Sequence, residues 1–229
     1  MTKIRALLFD FGGTLDGNGI QWRERTYRFL EGKYPGINRE AFDRADRASV
    51  EQFIASGSAP KLNLRESADA IATGIYRTLG LDVAVKEQYV DGFCRGVEQS
   101  LNRNRRWLAT LCGKYRLGVI SNNFGNTQGW CDAYELSPLL DVVIDSTVVG
   151  VWKPEAEIFH AALSALAVSP ETAIYVGDTY TPDMVGAKGV GMWTAWLVGA
   201  EKKVCPDASV VDVQLTEIQE LERFLVRHL

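Results

Sequence analysis

Short apolar runs bounded by turn residues recur along the chain, at "IRALLFDF", "RLGVISN", "DVVIDS", "AIYVGD" and "MWTAWLV". Runs that are apolar on both faces are what strands buried inside a parallel sheet look like. Between them lie helical patterns. "PEAEIFHAALSALAV" carries Pro154 near its start and acids in its first turn, and it sets Ile158, Leu163 and Leu166 on one side. Further helices are predicted over about 104–114, 126–134, 182–188 and from Thr216 to the end. Strands alternating with helices in this way predict an α/β fold built on a doubly wound parallel, Rossmann-like sheet.

Residues 18–98 break the rhythm. Here "WRERTYRFLEGKY", "REAFDRADRASVEQFIASG", "LRESADAIATGIYRTLG" and "VKEQYVDGFCRGVEQSL" read as amphipathic helices with no strand among them. The organisation expected is a core domain of residues 1–17 and 99–229, interrupted after its first strand by an inserted α-helical domain of residues 18–98. "GSAP", residues 57–60, reads as a loop inside the insert.

Composition narrows the partners. At 229 residues the chain is long enough for a full core plus an insert. Its net charge of −4, with acids and bases mixed, offers no broad basic face for nucleic acid. Cys94, Cys112, Cys131 and Cys205 are dispersed without a CxxC pair, which fits buried thiols in a reduced compartment. No leader-like or membrane-spanning apolar run is evident. The expectation is a soluble cytoplasmic protein, monomeric or homodimeric, with no membrane or nucleic-acid partner.

Ligands of open parallel sheets bind outside the carboxyl ends of the strands. Polar residues collect there: Asp10 after the first run, Ser121 and Asn122 after the second, Asp178 after "YVG", and Lys153 one loop beyond "DVVIDS". If Asp10, Asp178 and Asp183 meet in a cleft, their repulsion requires protonation or a cation. Oxygen ligands with room for water suit magnesium. Lys153 adds a fixed positive charge, and the whole suits a phosphoryl group, whose transfer depends on positioning and charge neutralisation.

"FDFGGTLD", "VISNN", "GVWKPEAEIF" and "YVGDTYTPDMVGAKGVGM" together resemble, in order and spacing, the four motifs of the haloacid dehalogenase-like hydrolase superfamily, with a helical cap between the first and second. The resemblance implies that Asp10 is a nucleophile forming an aspartyl-phosphate, that Ser121 and Asn122 bind the transferring group, and that Lys153 neutralises charge and holds Asp10. It further implies Mg2+ bound by Asp10, the main-chain carbonyl of Gly12 and Asp178, with Asp183 behind these ligands or bound through water. The substrate expected is a small phosphorylated molecule.

Gly12 departs from the pattern, because the family's phosphatases normally carry an aspartate there as general acid and base. Loss of such a group typically costs about 10²–10⁴-fold. Asp16, Glu24, Asp43 and Asp46 are candidate replacements, although acids on helices more often serve as solvated charges. A leaving group that needs no proton is another route, as in the family's metal-independent haloacid dehalogenases; against this, Asp178 and Asp183 would repel both a haloacid carboxylate and a departing halide. A phosphonate-cleaving relative would need a cap lysine, for which Lys33 and Lys61 are available but lack an apolar setting. A phosphoryl-ligand binding protein that has lost turnover is the reading outside enzymes. Arg23, Arg25 and Arg28 read as a solvated helix face, His160 and His228 as uninvolved, and Trp193 and Trp196 as packing, with Trp152 at the mouth of the cleft.

Overall fold

The computed structural model describes residues 3–201 and 203–228. In chain order its main elements are β1 (Ala6–Phe9), α1 (Trp22–Lys33), α2 (Arg39–Ala55), α3 (Leu64–Leu79), α4 (Val83–Leu111), β2 (Arg116–Ser121), α5 (Thr127–Ala133), β3 (Val142–Asp145), α6 (Ser146–Val149), α7 (Ala156–Leu166), β4 (Ala173–Gly177), α8 (Gly186–Gly189), β5 (Trp193–Leu197), β6 (Val213–Leu215) and α9 (Leu221–Leu225). The chain divides into two compact units, Met1–Gln21 with Ser100–Leu229, and Trp22–Gln99.

The first unit is a six-stranded sheet in the order β3-β2-β1-β4-β5-β6, parallel throughout. β1 lies at its centre, and every residue of "ALLF" is buried, as a strand covered on both faces must be. Side chains alternate across it. Ala6 and Leu8 pack with Ile158, Phe159 and Leu163 of α7, and Tyr175 of β4 joins the same cluster. On the other face Phe9 meets the ring of Trp107 edge-on, with centroids 6.0 Å apart. The chain winds outward from β1 through β2 to β3, then returns to the other side of β1 at β4. The strand order therefore reverses between β1 and β4, and a crevice at the carboxyl ends of those two strands is the natural ligand site of such a sheet.

The second unit is helical. Asn38 caps α2 by accepting the Ala41 N–H at 2.8 Å, and Asn63 with Glu66 forms a reciprocal capping box on α3. Ser49 of α2 donates to the Ile71 carbonyl of α3 at 2.6 Å, and Thr26 of α1 shares a 2.6 Å hydrogen bond with Tyr89 of α4. Residues 57–60 join α2 to α3, with one short helical turn at Ala59–Lys61.

Three points differ from the sequence reading. Residues 85–101 and 104–111 do not form separate helices; they belong to the 29-residue α4, which ends at Leu111, short of the expected Lys114. The asparagines of "LNRNRR" look like punctuation, but Asn104 is fully buried within the helix. Its Nδ2 donates to the Leu15 carbonyl at 2.7 Å and its Oδ1 accepts from Gln219 at 2.8 Å. The sixth strand was not anticipated either. β6 is only three residues long, with an exposed Gln214, so neither length nor alternation announces it. The chain after Thr216 forms short helical turns and α9 rather than one continuous helix.

Leu15 closes the turn that follows β1, so Asn104 braces the loop leaving the centre of the sheet. Asn104→Ala strands a carbonyl and an amide and is expected to lower stability by about 1–3 kcal/mol, read as a lower urea midpoint with an unchanged slope.

Candidate active site

Asp10 directly follows β1, and its own N–H is held by the Val176 carbonyl of β4 at 2.9 Å. Its Oδ1 accepts the Phe11 N–H at 2.8 Å and lies 3.0 Å from Lys153 Nζ. Lys153 reaches this point from the loop between α6 and α7 and is 5% exposed. Its ammonium also donates to Asp183 Oδ1 at 2.7 Å and to the Tyr175 hydroxyl at 2.8 Å. Asp183 is further tied by Thr179, whose N–H donates to Oδ2 at 2.8 Å and whose hydroxyl does so at 2.5 Å.

Asp178 follows β4. Its Oδ1 accepts from the Thr14 hydroxyl at 3.1 Å, while its Oδ2 is buried without a hydrogen-bond partner among the described residues. The Trp196 indole N–H donates to the Asp178 carbonyl at 3.0 Å, so this tryptophan fixes the site's main chain as well as packing in the core. Oxygens of Asp10, Asp178 and Asp183 lie within 4.8 Å of one another. With all three acids ionised, three negative charges face the single Lys153 ammonium, leaving a formal −2.

That imbalance shows in the titration of the site. Burial, with the charge of Asp183 and against the pull of Lys153, pushes the Asp10 carboxyl up to about 6. Burial and the charges of Asp10 and Asp183 hold Asp178 well above the usual carboxylate range. For Lys153, burial alone acts downward, and the two neighbouring carboxylates reverse it to a net upward shift. A buried, unpartnered carboxylate oxygen in an all-oxygen donor set with two uncompensated negative charges fits a small divalent cation. Asp10, Asp178 and the carbonyl of Gly12 are the groups that would hold it, with Asp183 already engaged through both oxygens.

The turn after β1 separates two adjacent glycines by their causes. Gly13 has φ of 85°, and a Cβ there would stand 2.7 Å from the Asp178 carboxylate oxygens. Gly12, at φ −73° and ψ 120°, has a backbone open to any residue. Asp16 is no solvated charge: it is fully buried, and its Oδ1 accepts the Gly13 N–H at 2.6 Å, bracing the same turn.

Ser121 is buried at the end of β2, in register with Asp145 of β3. Asn122 turns back onto Lys153, donating through Nδ2 to its carbonyl at 3.0 Å and accepting its N–H at 2.8 Å. Asp145, unremarked in the sequence, organises the loop after β2. It accepts from the Gly125 N–H at 3.0 Å and from the Thr127 N–H at 3.1 Å and hydroxyl at 2.5 Å, as well as from Thr147 of its own turn at 2.9 Å.

The remaining candidates have contacts of their own. Within the helical unit Glu24 pairs with Arg28 and Arg39, Asp43 with Arg23 and Arg39, and Asp46 lies 3.6 Å from Arg23. Arg25 stacks over the Phe93 ring at 4.6 Å. Lys33 and Lys61 are exposed, as is His160, and Trp152 is 47% exposed; the His228 side chain lies outside the described residues.

The sequence model of the haloacid dehalogenase-like hydrolases matches residues 4–191. The chain belongs to this family of hydrolases. A glyceraldehyde 3-phosphate phosphatase of Pyrococcus furiosus is 40% identical over 96 residues, a stretch that covers 38% of this chain and only 40% of that protein. Among solved structures, the HAD-hydrolase YfnB of Bacillus subtilis bound to magnesium superposes with a TM-score of 0.61 at 17% identity, covering 98% of this chain and 99% of that one. The L-2-haloacid dehalogenase of Xanthobacter autotrophicus does so with a TM-score of 0.56 at 18% identity, over 98% of each chain. At these identities the two structures speak for the fold alone.

The charge imbalance generates a prediction. A carboxyl whose folded pKa stands near 6 against an ordinary 3.8 contributes stability below about pH 4 and loses it as pH rises through 6. The metal-free HAD hydrolase should therefore weaken toward neutral pH, and saturating magnesium should restore about 5–10 °C in Tm, with less effect in acid where protons compete. Asp178→Asn should raise the metal-free Tm and abolish the magnesium-induced rise, both read from melts with and without magnesium across that pH range.

Proposed function

We propose that this HAD hydrolase is a magnesium-dependent phosphatase acting on a small phosphorylated molecule through Asp10. The observation that carries the reading is the buried Asp10, Asp178 and Asp183 cluster, in which three carboxylates share one directly bonded ammonium, Lys153, and the Asp178 Oδ2 lacks a hydrogen-bond partner among the described residues. A site that bound haloacids without metal would leave that charge uncompensated against an anionic substrate. The phosphatase relative from Pyrococcus furiosus supports the same direction. The cap role expected of the helical unit and a cytoplasmic setting belong to this reading.

Asp10 attacks phosphorus, the bond to the leaving oxygen breaks with its electron pair, and the aspartyl-phosphate so formed is cleaved by water to regenerate the carboxylate. Bound magnesium supplies charge neutralisation for the carboxylates and the phosphoryl oxygens. Lys153 keeps Asp10 ionised and fixed in direction. Ser121, buried at the end of the adjacent strand, is the hydroxyl that would donate to the transferring group. No side chain at Gly12 protonates the departing oxygen, which favours substrates whose leaving group departs unaided, such as acyl phosphates.

The test is a panel of alkyl phosphates, acyl phosphates and 2-haloacids, assayed with magnesium and with a chelator. Magnesium-dependent phosphate release is expected, falling by at least about 10³-fold in Asp10→Asn. Chloride release in the presence of chelator would overturn the assignment, as would tight binding of phosphate esters without turnover. The Gly12 φ and ψ suit any residue, and Gly12→Asp, with folding checked by its thermal melt, should raise alkyl phosphate turnover by about tenfold or more.

A further inference from the structure

All three N–H bonds of the Lys153 ammonium end on protein groups: Asp10, Asp183 and the Tyr175 hydroxyl. The first two are charged partners within the carboxylate cluster. The third is neutral and comes from β4, two strands away from the strand it braces. Tyr175 crosses over β1 to donate its own proton to the Ile120 carbonyl of β2 at 2.8 Å, next to Ser121. Its ring is fully buried and rests edge-on against Phe159 of α7, with centroids 5.3 Å apart, so the hydroxyl has little freedom to wander. At the other end of the same residue, the Lys153 main chain is gripped from both sides by the Asn122 amide.

We propose that Tyr175 and Asn122 are positioning residues that mount Lys153 at its ammonium and at its backbone, so that its charge is directed at Asp10. The inference rests on the phosphatase reading only for its kinetic consequence. A lysine on a long stem loses rotamer freedom when held, and a charge held in place needs no reorganisation as the nucleophile reacts. Two attractive carboxylates alone leave the ammonium one donor short of a fixed direction; the tyrosine supplies that third point. It also ties the ammonium to the end of β2, so that Lys153 and Ser121 are set by one hydrogen-bonded chain. Removing the Tyr175 hydroxyl should loosen the nucleophile's partner without removing any group expected to bind substrate.

Tyr175→Phe retains the packing ring and deletes only the hydroxyl. With the most rapidly hydrolysed ester of the panel, kcat should fall about tenfold or more while KM stays within about twofold. Asn122→Ala, an exposed site whose loss leaves the core intact, should also lower kcat by releasing the Lys153 main chain. A direct readout independent of turnover is nitrogen-15 NMR of the lysine ammonium groups. The wild-type protein should show a slowly exchanging signal, assigned to Lys153 by its disappearance in Lys153→Met, and Tyr175→Phe should speed its exchange about tenfold or more. A folded Tyr175→Phe protein with unchanged ammonium exchange overturns the inference. So does a rise in KM at constant kcat, which would make these residues substrate contacts. If the wild-type enzyme hydrolyses no phosphate compound, the phosphatase reading falls while the exchange measurement still decides the role of Tyr175.

Discussion

A single buried ammonium stands among three buried carboxylates, and much of the sheet unit is arranged to keep that grouping together. Lys153 attracts Asp10 and Asp183 directly, whereas Asp178 is held among the described residues by the neutral Thr14 hydroxyl. Breaking a buried ion pair by removing one partner typically costs about 3–5 kcal/mol, because the remaining charge stays desolvated. The acids come from the segments following β1 and β4, and the lysine from the connection after β3. Only the register of a parallel sheet brings such distant residues to one edge. The site is thus an electrostatic strain that the hydrophobic layers on either face of β1 must hold.

The strain also explains where polar bracing is concentrated. Phe11, Thr179 and Thr14 each bring a donor to a carboxylate, and the Trp196 indole fixes the main chain of Asp178. Asp16 and Asn104 hold the turn after β1 from within the core, and Asp145 gathers the loop after β2. None of these groups is positioned by local propensity. Each satisfies a backbone or side-chain group that burial would otherwise leave unpaired, and together they make the edge of the sheet rigid enough to carry a net charge.

The strands β1 to β5 were legible because they are continuous apolar runs, and the carboxylates and Lys153 because they punctuate the ends of those runs. The four helices of the insert were legible from their period and their Asn and Gly boundaries. What was not legible depends on long-range partners. Asn104 looks like a helix breaker until the Leu15 carbonyl is known to need its amide, so the length of α4 could not be read locally. Tyr175 sits in an apolar run where a tyrosine passes for packing, and only Lys153, arriving from another loop, gives its hydroxyl a task. Asp16 resembles the solvated acids of α1 and α2, yet it is completely enclosed. β6 is held by pairing with β5 rather than by its own sequence.

Gly12 and Gly13 show how a backbone demand and a chemical choice differ in neighbouring positions. Gly13 is glycine because its φ is positive and Asp178 occupies the space of any side chain. The ordinary φ and ψ of Gly12 make no such backbone demand, so glycine is not required there by conformation. In the proposed reaction the absence of a carboxylate there falls unequally on the two steps. Forming the aspartyl-phosphate expels the substrate's own oxygen, and an alkoxide leaves poorly without a proton. Hydrolysing the intermediate expels the Asp10 carboxylate, an intrinsically good leaving group whose developing charge is met by the Lys153 ammonium 3.0 Å away. The second step therefore lacks only a base for water, whereas the first becomes steeply sensitive to the acidity of the leaving group. In that reaction the site would discriminate among bound phosphorylated compounds by leaving-group chemistry in the chemical step itself.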